Sequence, residues 1–197
     1  RITWHNGHGF DLPVLAIHFP HLISRIFAAL EREQFRDTIT REKLLNLALH
    51  GVVDYYFTPD GLKRDIRYNL ETVAAKYLGI DLHEAKGRDA EGKQVRDDVW
   101  RLHFDSLDGL SSSHYPQDAI DYVLGDSDVG LRVYEGQDSR ARDEFTNNGA
   151  IGHDGQPFDV FRTEPLHVGA MFCLSLATYE GFAVDPAVVE SMEVEVA

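Results

Sequence analysis

Apolar and polar positions along this chain fall into short alternating and helical patterns. Ile2 and Trp4 alternate with polar neighbours, which predicts a strand over 1–6 that Gly7 and Gly9 break. Asp11 can cap a helix with apolar faces built from Leu12, Leu15, Ile17, Leu22, Ile23, Ile26 and Phe27, and Pro20 predicts a kink in it. A second short strand is expected over 34–36, followed by a helix capped by Thr38 and bearing Leu44, Leu45, Leu47 and Leu49. Residues 52–67 read as a β-hairpin turning at Thr58-Pro59-Asp60-Gly61. Asn69 caps a helix in which Leu70, Val73, Ala74, Tyr77 and Leu78 recur at helical spacing, and Gly79 stops it. The charged stretch 84–96 predicts a loop, and Val99, Leu102 and Leu107 mark a further helix ended near Gly109. Pro116 opens a long helical pattern through Ala119, Ile120, Val123, Leu124, Val129, Leu131 and Val133. Residues 139–163 are polar, with Asn147-Asn148-Gly149 and Asp154-Gly155, and predict a linker or hairpin. Pro165 begins an apolar helix stopped by Gly181, and Pro186 begins one more. Strands alternating with helices predict an α/β domain followed by a helical segment.

Composition agrees with a packed domain, since 43% of the 197 residues are apolar and 11% aromatic. The single Cys173 excludes an internal disulfide and a Cys-rich zinc site, which makes a reducing, cytoplasmic setting the expectation. No apolar run reaches the length of a membrane span. The chain opens on Arg1 and its methionines are Met171 and Met192, so an upstream segment is expected. A net charge of −14 argues against a protein that coats duplex DNA. It is compatible with carboxylates that hold divalent cations, because bound metal reverses the local sign.

Two constellations carry candidate chemistry. In His5-Asn6-Gly7-His8-Gly9-Phe10-Asp11, at a strand-to-helix junction, the glycines let backbone approach a ligand and Asp11 stands at the mouth of the connection. An ordinary Gly-rich turn ending in a capping Asp has the same sequence, and alone that reading is the stronger one. In Tyr122-Val123-Leu124-Gly125-Asp126, the phenol and carboxylate four apart share one face of a helix, as any amphipathic helix also permits. The pairs His5/His8 and His18/His21 have ligand-like spacing, yet no third or fourth matching ligand points to zinc. Lys86, Arg88, Lys93 and Arg96 form a basic stretch suited to a phosphate backbone or, with Asp89 and Glu91, to a solvated loop.

Taken together the two constellations resemble the second and third motifs of the DEDD 3′→5′ exonucleases. Asn6, Phe10 and Asp11 are similar to Asn-x(2–3)-Phe/Tyr-Asp, and Tyr122 with Asp126 to the Tyr-x-x-x-Asp of the tyrosine subgroup. The likeness extends through Asp37-Thr38, Tyr68-Asn69-Leu70-Glu71-Thr72-Val73-Ala74, Lys86-Gly87 and Pro116 leading into Ala119-Ile120-Asp121-Tyr122. The tail from Glu164 to Asp185 resembles the helix that enters the polymerase region of family A, phage-type DNA polymerases. The resemblance implies a ribonuclease H-like fold, a mixed sheet flanked by helices. It implies an exonuclease domain over 1–138 lacking its opening strands, a linker or hairpin over 139–163, and the helical start of a polymerase region over 164–197.

The family opens with Asp-x-Glu on its first strand, and this chain has no such pair at a suitable place; Asp81-Leu82-His83-Glu84 has the wrong spacing. Truncation before Arg1 is the expected cause, and a fragment inactive or nearly so the expected result. For the intact domain the resemblance implies proofreading hydrolysis by two Mg²⁺ or Mn²⁺ ions about 3.5–4 Å apart. Asp126 would ligate the water-activating ion, Asp11 the second, and Tyr122 would orient the attacking water. Asn6 and Phe10 would place the terminal nucleotide. The implied partners are the 3′ end of single-stranded DNA and a polymerase domain in the same parent chain, in a bacterial or phage-infected cell. An RNA-trimming exonuclease of the ribonuclease D type and a non-catalytic nucleic-acid-binding scaffold remain the alternatives.

Overall fold

A computed structural model describes residues 1–83, 86, 87, 89, 93 and 95–181 of the chain. The expected helix at Pro186, the tail residues 182–185, and Arg88 and Glu91 of the basic loop lie outside the described residues.

The fold is mixed α/β, with helices dominant and two small sheets among the described residues. Strands β1 (Ile2–Trp4) and β2 (Phe35–Asp37) run parallel, pairing Ile2 with Phe35 and Trp4 with Asp37. Parallel strands need a long crossover, supplied here by α1 (Asp11–His18) and α2 (Ile23–Glu31). The expected kink at Pro20 is a full break. A short 3₁₀ turn, Pro20–Leu22, sits between the helices, and the chain bends by 114°. Proline has no N–H to donate and its ring clashes one turn back, so the first helix ends and the second starts afresh.

Helix α3 (Thr38–His50) begins directly after β2. Its cap is Asp37 rather than the expected Thr38, because the Asp37 carboxylate accepts from Thr40 N–H at 2.9 Å, while the Thr38 hydroxyl donates to the Trp4 carbonyl. The expected hairpin forms from β3 (Tyr55–Phe57) and β4 (Lys63–Asp65). Helix α4 (Leu70–Leu78) is capped by Asn69, whose side chain accepts from Thr72 N–H, and ends at Gly79 in the left-handed region. The helix expected around Val99 to Leu107 is two 3₁₀ turns, Trp100–Leu102 and Phe104–Leu107. The long α5 (Gln117–Ala141) runs into a π turn at Arg142–Thr146, and an isolated bridge joins Ile151 to Pro157. Helix α6 (Glu164–Glu180) follows.

Two apolar clusters hold these elements. One joins Leu12, Ala16, Ile26 and Phe35 to Val168 and Phe172 of α6, and Trp4 packs on it. The other joins Leu70, Val73 and Ala74 of α4 to Val129 and Val133 of α5. Each large side chain buried in this way contributes about 1.5–3 kcal/mol.

Buried polar groups of α3 link the two clusters. Glu42 accepts from the Tyr77 hydroxyl at 2.7 Å, from Gln137 at 3.1 Å and from Lys76. Arg41, 2% exposed, pairs with Asp138 and lies 3.8 Å from Glu164, its guanidinium between the rings of Tyr134 and Phe161. Burial pushes the Glu164 carboxyl up to about 7, against the pull of Arg41, the Asp37 N–H and Arg36.

Two outcomes follow from this seam. Removing one partner of a buried ion pair strands the other, so Arg41→Ala should cost about 3–5 kcal/mol in urea unfolding measured above pH 7, where Glu164 is ionised. Glu164 holds its proton more tightly folded than unfolded, so its contribution to stability declines as pH rises from about 4.5 to about 7. Glu164→Gln removes that decline. The unfolding free energy of the variant should therefore gain on wild type across this window, and a difference independent of pH would contradict the assignment.

Candidate functional site

Beyond β1 the chain turns sharply at Asn6, which adopts a left-handed φ of 68°. Asparagine tolerates that region better than most residues. Its carbonyl accepts from the N–H groups of Gly9 and Phe10, and Gly7 O accepts from Leu12 N–H, which winds the loop directly into α1. Gly7 is required for packing. A Cβ there would lie 2.5 Å from the Trp4 ring, which itself meets Phe35 edge-on at 5.4 Å. The Gly7 N–H donates to Asp37 Oδ2 at 2.8 Å, so the loop is tied to the tip of β2.

Asp11 is thereby the first residue of α1, and its side chain does not cap the helix; the cap position is Phe10. A carboxylate in the first turn sits at the positive end of the helix dipole. Burial nevertheless pushes the Asp11 carboxyl up from its ordinary value, its own backbone N–H lowers it in part, and nearby Asp37 raises it further. Phe10 stands beside it, 64% exposed.

Tyr122 and Asp126 lie one turn apart on α5. The Tyr122 ring is held edge-on by Phe104 at 5.9 Å, and Phe104 stacks in turn on Trp100 at 6.2 Å. Asp126 Oδ2 lies 3.4 Å from Lys86 Nζ.

All five residues singled out in the sequence converge. Two adjoining clefts, of about 830 and 700 Å³, share His5, Phe10, Asp11, Leu70, Lys86 and Tyr122 as lining. Asn6 lines the larger and Asp126 the smaller. The fold thus brings a loop near residue 10 and a helix near residue 124 to one place, with Asp11 and Asp126 as its carboxylates. The histidine pairs do not form a metal site. His5 Nδ1 meets the Thr38 hydroxyl at 2.7 Å, and His8 Nδ1 lies 3.3 Å from Asp37.

Three groups at the site had no assigned role from the sequence. His5 forms part of both cleft walls, and burial lowers its pKa, which keeps the ring neutral at pH 7. Glu71, 5% exposed, lines the larger cleft from α4. Tyr68 lines it too, with Lys43 Nζ 5.4 Å over its ring. Their signal was sequence adjacency: His5 precedes Asn6, and Tyr68 and Glu71 flank the Asn69 cap.

Two divalent ions need more carboxylates than this. Among the described residues no group of three or more His, Cys, Asp or Glu side chains is placed to hold a metal, and Asp126 is already paired with Lys86. Asp11 and Asp126 alone therefore do not fit a two-ion centre. Comparison with protein-family models, with curated proteins and with solved structures found no match for this chain.

The loop geometry predicts a sharp contrast between two glycines. Gly7→Ala should destabilise by about 1–3 kcal/mol through overpacking against Trp4, with a shifted tryptophan emission spectrum. Gly169→Ala, in α6 with nothing within 4 Å of the added methyl, should be neutral or stabilise by up to about 1 kcal/mol. Equal thermal melts for the two variants would remove the packing argument for Gly7.

Proposed function

We propose that this chain carries the second and third motifs of a DEDD-type 3′→5′ exonuclease, the proofreading part of a DNA polymerase. One observation carries the reading: Phe10, Asp11, Tyr122 and Asp126, distant in sequence, line one cleft. Chance likeness to two short motifs gives no reason for them to meet. The parallel β1–β2 pair joined by a helical crossover is compatible with neighbouring strands of a ribonuclease H-like sheet.

In this reading the exposed Phe10 ring stacks on the terminal base, and Asn6 helps to seat the nucleotide. Tyr122, steadied by Phe104, directs its hydroxyl toward the attacking water. Lys86 places an ammonium at the cleft floor, where a terminal phosphate would lie. Asp11, with a carboxyl raised by burial, gains most from any cation brought beside it. Divalent-metal hydrolysis would require carboxylates beyond Asp11 and Asp126. Residues 139–163 and 164–197 are, on the same reading, the connection to the polymerase region and its start, with α6 as the described helix.

A second reading, a non-catalytic scaffold that binds single strands, is favoured by the Lys86–Asp126 pair, in which an ammonium already neutralises a catalytic-type carboxylate.

The test uses a chain extended upstream to include any Asp-x-Glu pair, with Mg²⁺ and 5′-labelled single-stranded DNA or RNA. Stepwise shortening from the 3′ end is expected. Asp11→Ala/Asp126→Ala should slow it by about two orders of magnitude or more, the scale of losing a preorganised electrostatic contact. Residues 1–197 alone should be inactive. No shortening by the folded longer chain would replace the exonuclease with the scaffold, and RNA cut in preference to DNA would replace proofreading with RNA trimming.

A further inference from the structure

The β3–β4 hairpin presents Tyr55, Tyr56 and Phe57 in succession, 44%, 47% and 64% exposed. Scattered surface aromatics are ordinary, but three in a row on one strand form a patch that folding does not require. Cross-strand register sets Phe57 against Lys63 and Tyr56 against Arg64. Alternation places Tyr55, Phe57, Lys63 and Asp65 on one face, where Lys63 Nζ also lies 3.8 Å from the exposed Asp65 carboxylate, and Tyr56 with Arg64 on the other. The Tyr55 and Phe57 rings meet edge-on at 5.6 Å, and Lys63 Nζ lies 4.2 Å above the Tyr55 ring. Each cation therefore stands beside an exposed ring.

The hairpin is held firmly. Thr58 N–H donates to Leu62 O at 2.9 Å, Leu62 N–H donates to the Thr58 hydroxyl at 3.1 Å, and Gly61 supplies the positive φ of the turn. At the base, Ile66 N–H donates to Asp54 O and the Tyr68 hydroxyl to Val53 O.

This arm is continuous with the candidate site. Tyr56 borders a cleft of about 640 Å³ with Val52, Ile66, Arg67 and Val73, between α3, the hairpin base and α4. Asn46 of that cleft donates to the Tyr68 hydroxyl at 3.3 Å, and Tyr68 and Lys43 line the cleft that holds Asp11. Rings beside cations thus run from Phe10 past Lys43 and Tyr68 to Arg67 and Tyr56. The charge balance changes along the way. The whole chain has 19 Lys and Arg against 33 Asp and Glu, whereas residues 52–68 hold three against three.

We infer that the hairpin is a stacking arm that grips single-stranded nucleic acid behind its 3′ end, an inference that rests on the exonuclease reading for the polarity of the strand. Bases stack on Tyr55, Tyr56 and Phe57, and Lys63 and Arg64 meet the adjoining phosphates. A second copy of this chain is the poorer occupant, because Lys63 and Arg64 stand opposite Phe57 and Tyr56 where a self-complementary face would set apolar groups.

The experiment measures anisotropy of a short 5′-fluorescein oligo(dT), and of oligo(U), with the chain in EDTA, so that no hydrolysis intervenes. Tyr55→Ser/Phe57→Ser should weaken binding by about tenfold or more per ring. Lys63→Gln/Arg64→Gln, which leaves the rings in place, should flatten the slope of log K against log salt by roughly 1.4. Circular dichroism and melting of every variant verify the fold. Equal affinity of wild type and both hairpin variants overturns the arm, as does absence of wild-type binding. Self-association in sedimentation that Tyr55→Ser/Phe57→Ser abolishes also overturns it, and gives the face to a second copy. Binding through the hairpin by a longer chain that never shortens DNA removes the exonuclease and keeps the arm. Shortening with no dependence on the hairpin does the reverse.

Discussion

The carboxylate of Asp37, 1% exposed at the junction of β2 and α3, is the constraint on which the rest of the structure turns. One oxygen accepts from Thr40 N–H and so starts α3; the other accepts from Gly7 N–H and so fixes the loop that delivers Asp11. The Asp37 backbone N–H donates to Glu164 at 2.9 Å, which brings in α6. Burial alone would push this carboxyl up, but the His8 ring and the Thr40 and Gly7 N–H groups outweigh it and hold its pKa below the ordinary value. An ionised group in the interior is tolerated only when its lone pairs are filled in this way. Asp37 therefore ties the β1–α1 loop and the start of α3 through its side chain, and α6 through its backbone.

A second constraint sets the rotation of α5. Gln137 donates to Thr38 O at 2.9 Å and to Glu42, and Val129 and Val133 pack on α4. With the C-terminal half of a 25-residue helix anchored by both polar and apolar contacts, its N-terminal half has little freedom to turn. Tyr122 and Asp126, both partly exposed, accordingly line the cleft beside the β1 loop. Anchoring and chemistry occupy different halves of the same helix, which lets the site remain open while the core stays filled.

The two carboxylates at the cleft are electrostatically unlike. Asp126 has an ammonium beside it, whereas burial and a neighbouring carboxylate leave Asp11 with a raised pKa. Of the chain's 19 Lys and Arg, Lys86 lines the cleft and Lys43, Arg67, Lys63 and Arg64 lie toward the hairpin. Lys43 stands over the Tyr68 ring and Lys63 over the Tyr55 ring, so this surface sets charge beside aromatic faces.

Local chemistry determined much of this protein from sequence alone. The β1 strand, the β3–β4 turn, the Asn69 cap and the same-face placement of Tyr122 and Asp126 all follow from spacing and turn residues, which act over a few positions. The break at Pro20 was visible, though not its depth, because proline disrupts a helix while the angle depends on what the two halves pack against. Competition between neighbouring side chains decided the α3 cap: Asp37 outbids Thr38, whose hydroxyl is drawn to Trp4 O across the sheet. Only the tertiary structure placed Asp11 and Asp126 in one cleft, buried Arg41, Glu42 and Glu164 as a seam, and left the hairpin aromatics exposed. Those outcomes depend on contacts between residues tens of positions apart, and the free energy of such contacts is written in packing and burial, to which a pattern of adjacent residues gives no access.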